Sequence, residues 1–121
     1  MKKLNTIQKR NNLNEVWVVG NPSNGGAYHK YRVECDGGAD YTAKHDIIFQ
    51  NGPRHDKASI NGILDVDLLE IVRHRLQCFQ SGDMPTRETA LALTHVEEAL
   101  LWLNKRTEDR AERNVLGTKE K

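Results

Sequence analysis

Arg106, Arg110 and Arg113 stand at i, i+4 and i+7 in the segment NKRTEDRAER, Asn104 to Arg113. On an α-helix this spacing places all three guanidinium groups on one face. A guanidinium is a planar fork that stays charged at any working pH and meets phosphate oxygens two at a time. A row of such forks suits a phosphate clamp. The competing reading is a solvated face, with Arg106 against Asp109 and Arg110 against Glu108 or Glu112 in weak surface pairs. Phe79 is the second candidate. It is the last apolar residue of a periodic stretch, and it is either core or a stacking platform for a base if it faces a cleft.

Other chemistry is thinly represented. His29, His45, His55, His74 and His95 form no H-x-x-x-H or H-E-x-x-H spacing, so no metal site is expected. Cys35 and Cys78 are far apart and make no C-x-x-C pair, which reads as two free thiols in a reducing compartment. Ser23, Ser59 and Ser81 have no nucleophile-elbow context, and neither a P-loop nor a G-x-G-x-x-G is present. No catalytic residue and no cofactor are expected; the chain reads as a non-enzyme.

The 121 residues carry 18 basic and 17 acidic side chains, a formal charge of +1. That balance argues against a protein coated in positive charge for a nucleic-acid polymer, yet leaves room for a local anion site. Only 37% of residues are hydrophobic. A small core and a large wet surface follow, and a second subunit would help to stabilise them. The first residues, MKKLNTIQKRNNLN, lack an apolar stretch of the kind a secretory signal needs. No apolar run reaches membrane-spanning length. A cytoplasmic protein with a loose basic tail over residues 1–14 is the expectation.

The elements that must position the arginines and the ring follow from period and punctuation. EVWVVG (Glu15 to Gly20), AYHKYRVEC (Ala27 to Cys35) and YTAKHDIIFQ (Tyr41 to Gln50) read as strands separated by the turn signals NPSNGG and DGGAD. Tyr31, Val33 and Cys35 share one face, and Lys30, Arg32 and Glu34 the other. An antiparallel β-meander over 15–50 is predicted. NGPRHDKASINGIL, residues 51–64, is a loop with two Asn-Gly pairs. The period then changes. Val66, Leu69, Val72, Leu76 and Phe79 recur at three and four, between Asp65 as N-cap and Gly82 as stop. Pro85 stands where a first helical turn tolerates it. A second helix from about Thr86 to Arg113 has no breaker and carries the stripe Ala92, Val96, Ala99, Leu100 and Leu103. The fold class is therefore α+β, a β-meander followed by an antiparallel helical hairpin over 65–121. In such a hairpin Phe79 lies near the turn and the arginines near the opposite end. The two can meet only across a subunit interface.

The residues also form an ordered pattern: FQ-x-G-P at Phe49 to Pro53, LL-x-I at Leu68, RL at Arg75, FQ-x-G at Phe79, AL at Ala90, EEAL-x-WL at Glu97 and RT-x-x-R at Arg106. As a set it resembles the helical hairpin domain of phage-encoded nucleotide sponges, the anti-Thoeris and anti-CBASS families, over residues 49–118. The strand-rich first part resembles the anti-Thoeris branch. The resemblance implies capture without degradation of glycocyclic ADP-ribose or a related cyclic ADP-ribose isomer. Cyclic di- or trinucleotides are implied as further ligands in some relatives. It implies sites between protomers of a homo-oligomer, a dimer or a hexamer built from three dimers, with no membrane and no nucleic-acid polymer as partner. By the same resemblance Phe79 is the stacking aromatic, and Arg106 and Arg110 bind phosphate. Thr89 stands where the family has Asn, and Arg113 opens a tail whose next residues differ from the family's. Arg54, Asn61 and Gly62 fall in the family loop. A small nucleic-acid-binding module and a purely structural oligomer are the rival readings.

Overall fold

The structure is a computed structural model and describes residues 1–8, 14–36, 42–113 and 118. The chain divides into two units, Met1–Ile63 and Leu64–Lys121. The first is a four-stranded antiparallel sheet in chain order: β1 (Lys2–Lys3), β2 (Asn14–Val19), β3 (Lys30–Asp36) and β4 (Thr42–Ile48). The second is the hairpin of α1 (Asp65–Ser81) and α2 (Arg87–Glu112). The α+β class and the order of meander and hairpin stand as the sequence predicts.

The sheet is held by long ladders. β2 meets β3 from Asn14↔Cys35 to Val19↔Lys30, and β3 meets β4 from Lys30↔Ile48 to Asp36↔Thr42. Val18, Tyr31 and Ile47 line up across three strands on one face, and Val18 is buried with only 4% of its surface exposed. Phe49 continues that face, its ring edge-on to Tyr31 at 5.6 Å. On the opposite face Arg32 grips Asp46 at 2.7 Å. This pairing raises the guanidinium's pKa and, through the hydrogen bond above all, lowers that of the carboxyl.

One expectation about the sheet is corrected. The N-terminal residues are not all a loose tail, because Lys2 and Lys3 pair with Val18 and Trp17 as a fourth strand. Leu4 N–H then donates to Val16 C=O at 2.8 Å, and Lys3 reaches Glu15 at 2.7 Å. Main-chain pairing needs no alternation in so short a strand, so hydropathy carried no sign of it. The remainder of that tail, residues 9–13, and the turn residues 37–41 lie outside the described residues.

The two helices begin differently. α1 takes Leu64, not Asp65, as its N-cap, and Asp67 Oδ2 accepts from the Leu64 N–H at 2.8 Å. It stops at Ser81, with Gly82 as its C-cap. α2 opens on Thr86, whose hydroxyl accepts from Thr89 N–H at 3.0 Å, so Pro85 precedes the cap rather than entering the first turn. Between the helices Arg73 Nε donates to Glu97 at 2.9 Å, and Glu70 lies 3.5 Å from the same guanidinium. The bond to Glu97 raises the pKa of Arg73.

Two helices share a single seam, and that limits burial. Leu69, Leu76, Val96, Leu100 and Leu103 are half-buried, and among the described residues of the hairpin no apolar side chain is fully buried. Val72, assigned by period to the inner stripe, is exposed, as are Ile71, Leu91, Leu101 and Trp102. One partner helix covers a narrower arc than the apolar arc each helix presents.

Candidate functional site

The groups singled out for binding sort to opposite ends of the hairpin. At the turn end, Phe79 is 41% exposed in the last turn of α1. Arg75, one helical turn earlier, holds its guanidinium carbon 5.5 Å from the centre of that ring, within cation–π distance. Arg75 was given no role by the motif reading, yet it lies against the candidate ring. The signal was available as an arginine four residues before the aromatic. Thr89 sits half-buried in the first turn of α2, where its hydroxyl accepts from the Thr86 hydroxyl at 2.9 Å. The chain between the helices is fastened by Gln80, which accepts from Thr86 N–H at 3.0 Å. Ring, guanidinium and hydroxyl thus occupy one end of the hairpin.

At the far end the arginines do not form one uniform stripe. Arg106 is exposed and makes no ion pair or hydrogen bond among the described residues, while the neighbouring Lys105 takes Asp109 at 3.1 Å. The Arg106–Asp109 pair of the solvated-face reading is therefore absent. Arg110 is buried, with 6% of its surface exposed, and donates from a terminal nitrogen to Thr118 C=O at 2.9 Å. Arg113 is the C-cap of α2, its N–H bonded to Asp109 C=O at 3.2 Å. So the expected row of three outward guanidinium groups is corrected at Arg110. Its fork turns to the Thr118 carbonyl, because an exposed main-chain carbonyl and a long cationic side chain satisfy each other there. The tail residues 114–117 lie outside the described residues.

Thr89 and Arg106 are 17 positions apart on one continuous helix. At 1.5 Å per residue that separates them by about 25 Å along its axis. A mononucleotide-sized ligand cannot touch both ends of the same hairpin. Along α1 and the second half of α2 lies an open recess of about 660 Å³, lined by Leu64, Val66, Leu100, Leu101, Asn104 and Thr107 beside the Arg73–Glu97 pair.

The three loop candidates belong to the sheet unit. Asn51 and Ile60 bond each other in both directions at 2.8 and 2.9 Å, closing the loop between them. Gln50 then fastens it from inside. Its amide nitrogen donates to Gly52 C=O at 3.0 Å and to Asn61 Oδ1 at 2.9 Å, and its amide oxygen accepts from Gly62 N–H at 3.0 Å. Asn61 is thereby engaged in holding the loop. A Cβ at Gly62 would run into the main chain of Ile48 and Phe49, so close approach requires glycine there. Arg54 is exposed in the loop and has no hydrogen bond or ion pair among the described residues. Gln50 belongs to the quoted FQ-x-G-P motif and was given no role by the sequence. A glutamine's three simultaneous bonds become visible only once the loop has closed.

Among the described residues there is no group of three or more His, Cys, Asp or Glu placed to hold a metal ion. Among the same residues no helix is long and apolar enough to cross a membrane.

The last strand of the sheet, the loop and the two-helix hairpin together fall within one known domain family. The Acb2/Tad1 hairpin-domain model matches residues 42–108. The chain belongs to the Acb2/Tad1 hairpin-domain family. The match begins at β4 and ends after Arg106, so it takes in Arg54, Asn61, Gly62, Phe79, Thr89 and Arg106, while Arg110 and Arg113 lie beyond it. The chain is also similar to Thoeris anti-defense 1 of Bacillus phage SBSphiJ7, with 49% identity over 75 residues. That alignment covers 62% of this chain and 52% of the relative, so the chain spans about half the length of the curated relative it matches.

Proposed function

We propose that this protein is an anti-defence sponge that binds a cyclic ADP-ribose-type immune signal, glycocyclic ADP-ribose first, and withholds it intact from the Thoeris system. Its pocket lies between subunits of a homo-oligomer. Family membership and the anti-Thoeris relative support the direction of this reading. One geometric observation carries the mechanism. The ring end and the guanidinium end of each hairpin are about 25 Å apart, so a single ligand that uses both must bridge two chains. In the proposed pocket Phe79 of one chain stacks on the adenine, with Arg75 behind the ring. Arg106 of another chain takes the diphosphate, because a charge-assisted bond in a water-poor site outweighs its equivalent in solvent. Thr89 supplies a hydroxyl that still has its own proton to donate, since its oxygen already accepts from Thr86. Arg110 supports the site by fixing the end of α2 to the C-terminal chain, and Arg113 adds positive charge beside it.

The same homo-oligomer would cover the exposed apolar surface of the hairpin. Leu101 and Trp102 are 70% and 71% exposed on consecutive positions of α2. Side chains of that size stabilise an interface by about 1.5–3 kcal/mol each when fully buried.

The test is calorimetry with glycocyclic ADP-ribose, cyclic dinucleotides and cyclic trinucleotides, with single-stranded DNA as the polyanion control. Tight, saturable binding of a cyclic ligand is expected, and the ligand should return unaltered after heat denaturation and chromatography. Steadily accumulating product beyond the number of sites would make the protein an enzyme. Salt-sensitive binding of DNA alone would make it a nucleic-acid module.

A further inference from the structure

β4 is the outer strand of the sheet, and its free edge has a definite pattern. Phe49 N–H donates inward to His29 C=O at 2.8 Å. By alternation Ala43, His45 and Ile47 also turn their main-chain groups toward β3, while Lys44, Asp46 and Ile48 turn theirs away. Among the described residues the outward row is covered only at its end, where Ile48 C=O accepts from Ile63 N–H at 2.9 Å. The N–H and C=O groups of Lys44 and Asp46 have no main-chain partner among the described residues. The side chains of Lys44, His45 and Asp46 are all exposed.

We propose that this edge is an interaction surface for the same edge of a second copy. The two β4 strands pair antiparallel about a twofold axis at His45. The parity of the strand selects that register. Hydrogen bonding requires outward residues to oppose outward residues, which leaves axes at Lys44, His45 or Asp46 near the strand's centre. An axis at Lys44 sets two ammonium groups face to face, and an axis at Asp46 sets two carboxylates face to face. The axis at His45 sets Lys44 opposite the partner's Asp46 and repeats that pair by symmetry. Each of these pairs exchanges two main-chain hydrogen bonds. On the other sheet face Ala43 meets the partner's Ile47, an apolar pair.

The charges fit this use. Lys44 forms no ion pair within its own chain among the described residues. Asp46 accepts from Arg32 at 2.7 and 3.3 Å, one bond to each oxygen, and keeps a lone pair on each for a further donor. Edge strands are commonly protected from foreign strands by a lysine, a proline or a bulge. β4 contains no proline, and its ladder to β3 runs without a bulge from Lys30↔Ile48 to Asp36↔Thr42. Its one lysine stands two residues before an aspartate, so a charge that discourages other strands complements this one. The surface is independent of the proposed ligand site and adds a second contact to whatever the hairpins form.

Cross-linking of the full-length chain tests it. At a twofold axis, His45 opposes the partner's His45 in a pair without hydrogen bonds, whose Cα atoms lie about 4.5 Å apart, inside the range a disulfide bridges. Lys44 is displaced from its own symmetry mate by two residues along the strand, roughly 8 Å in all and beyond that range. With Cys35→Ala and Cys78→Ser as background, His45→Cys should give an interchain disulfide under mild oxidation, on a non-reducing gel, about tenfold faster than Lys44→Cys. Adding Lys44→Pro removes an outward N–H without touching the ladder to β3, and should slow the His45→Cys reaction about tenfold. If circular dichroism shows His45→Cys unfolded, mixed chains carrying Ala43→Cys and Ile47→Cys supply a second opposed pair and the same reading. Equal cross-linking at 44 and 45, none at either, or no effect of the proline would overturn the proposal.

Discussion

Val18 is nearly sealed at the centre of the sheet, while Leu101 and Trp102 of the hairpin stand about seven-tenths exposed. The sheet unit fastens itself. Its ladders run unbroken across three strands, Gln50 closes its loop with three hydrogen bonds, and charged pairs tie its polar face. The hairpin holds its register through Arg73 and Glu97 and its helix ends through caps, yet it buries no apolar side chain among its described residues. Among the described residues the one buried apolar side chain, Val18, belongs to the sheet unit. The hairpin is the half that leaves large apolar side chains exposed, and it is there that the proposed oligomer would add contacts.

That contrast can be broken most sharply at the exposed apolar surface. Leu101→Asp with Trp102→Glu should reduce the proposed assembly to no more than two 13.8 kDa chains joined at their β4 edges and lower helicity, leaving the sheet in place. Each lost contact is worth on the order of 2 kcal/mol. Light scattering and far-ultraviolet circular dichroism read both, and an unchanged particle mass would assign assembly to other surfaces. Arg106→Ala comes next. Loss of a charge-assisted bond of about 1.5–3 kcal/mol should lower affinity for glycocyclic ADP-ribose tenfold or more while the melting temperature stays put. Arg110→Ala should differ in kind by lowering the melting temperature as well, because Arg110 is buried and bonded to Thr118.

Within the sheet unit, Gln50→Ala removes one donor group and one acceptor from a half-buried loop. A loss of about 1–3 kcal/mol is expected, with Gly62 N–H exchanging faster by hydrogen exchange and the hairpin amides unaffected. The smallest effect is at the helix entrance. Thr86→Ala should cost about 1 kcal/mol of hairpin stability, since Thr89 N–H loses its acceptor. Restoration by Thr86→Ser would tie the loss to the hydroxyl rather than to the methyl group.

How much of this was legible depends on the range of the interaction. α2 was readable to within a residue at each end, because its period is long, Thr86 is a capping residue and no breaker intervenes before Arg113. β2, β3 and β4 were readable as strands from alternation and turns, with edges that shift by a few residues. β1 was not, since two lysines carry no period at all. The ordered motif from Phe49 to Arg110 pointed to the family, and the family match now bounds it at residues 42–108.

The residue order by itself determined the α+β class, the hairpin and the separation of Phe79 from Arg106, for local period and helix rise settle each of them. Tertiary structure alone decided which arginine stays in solvent. Arg106 and Arg110 are both four-spaced arginines on one helix, and nothing in their spacing distinguishes them. Arg110 is buried and donates to the Thr118 carbonyl, a main-chain group that no side-chain pattern encodes. The role of Gln50 was decided in the same way, by the closing of a loop that brings Gly52, Asn61 and Gly62 within reach of one amide. Hydrogen bonds to the backbone depend on where the chain goes, and that is set only when the whole unit folds.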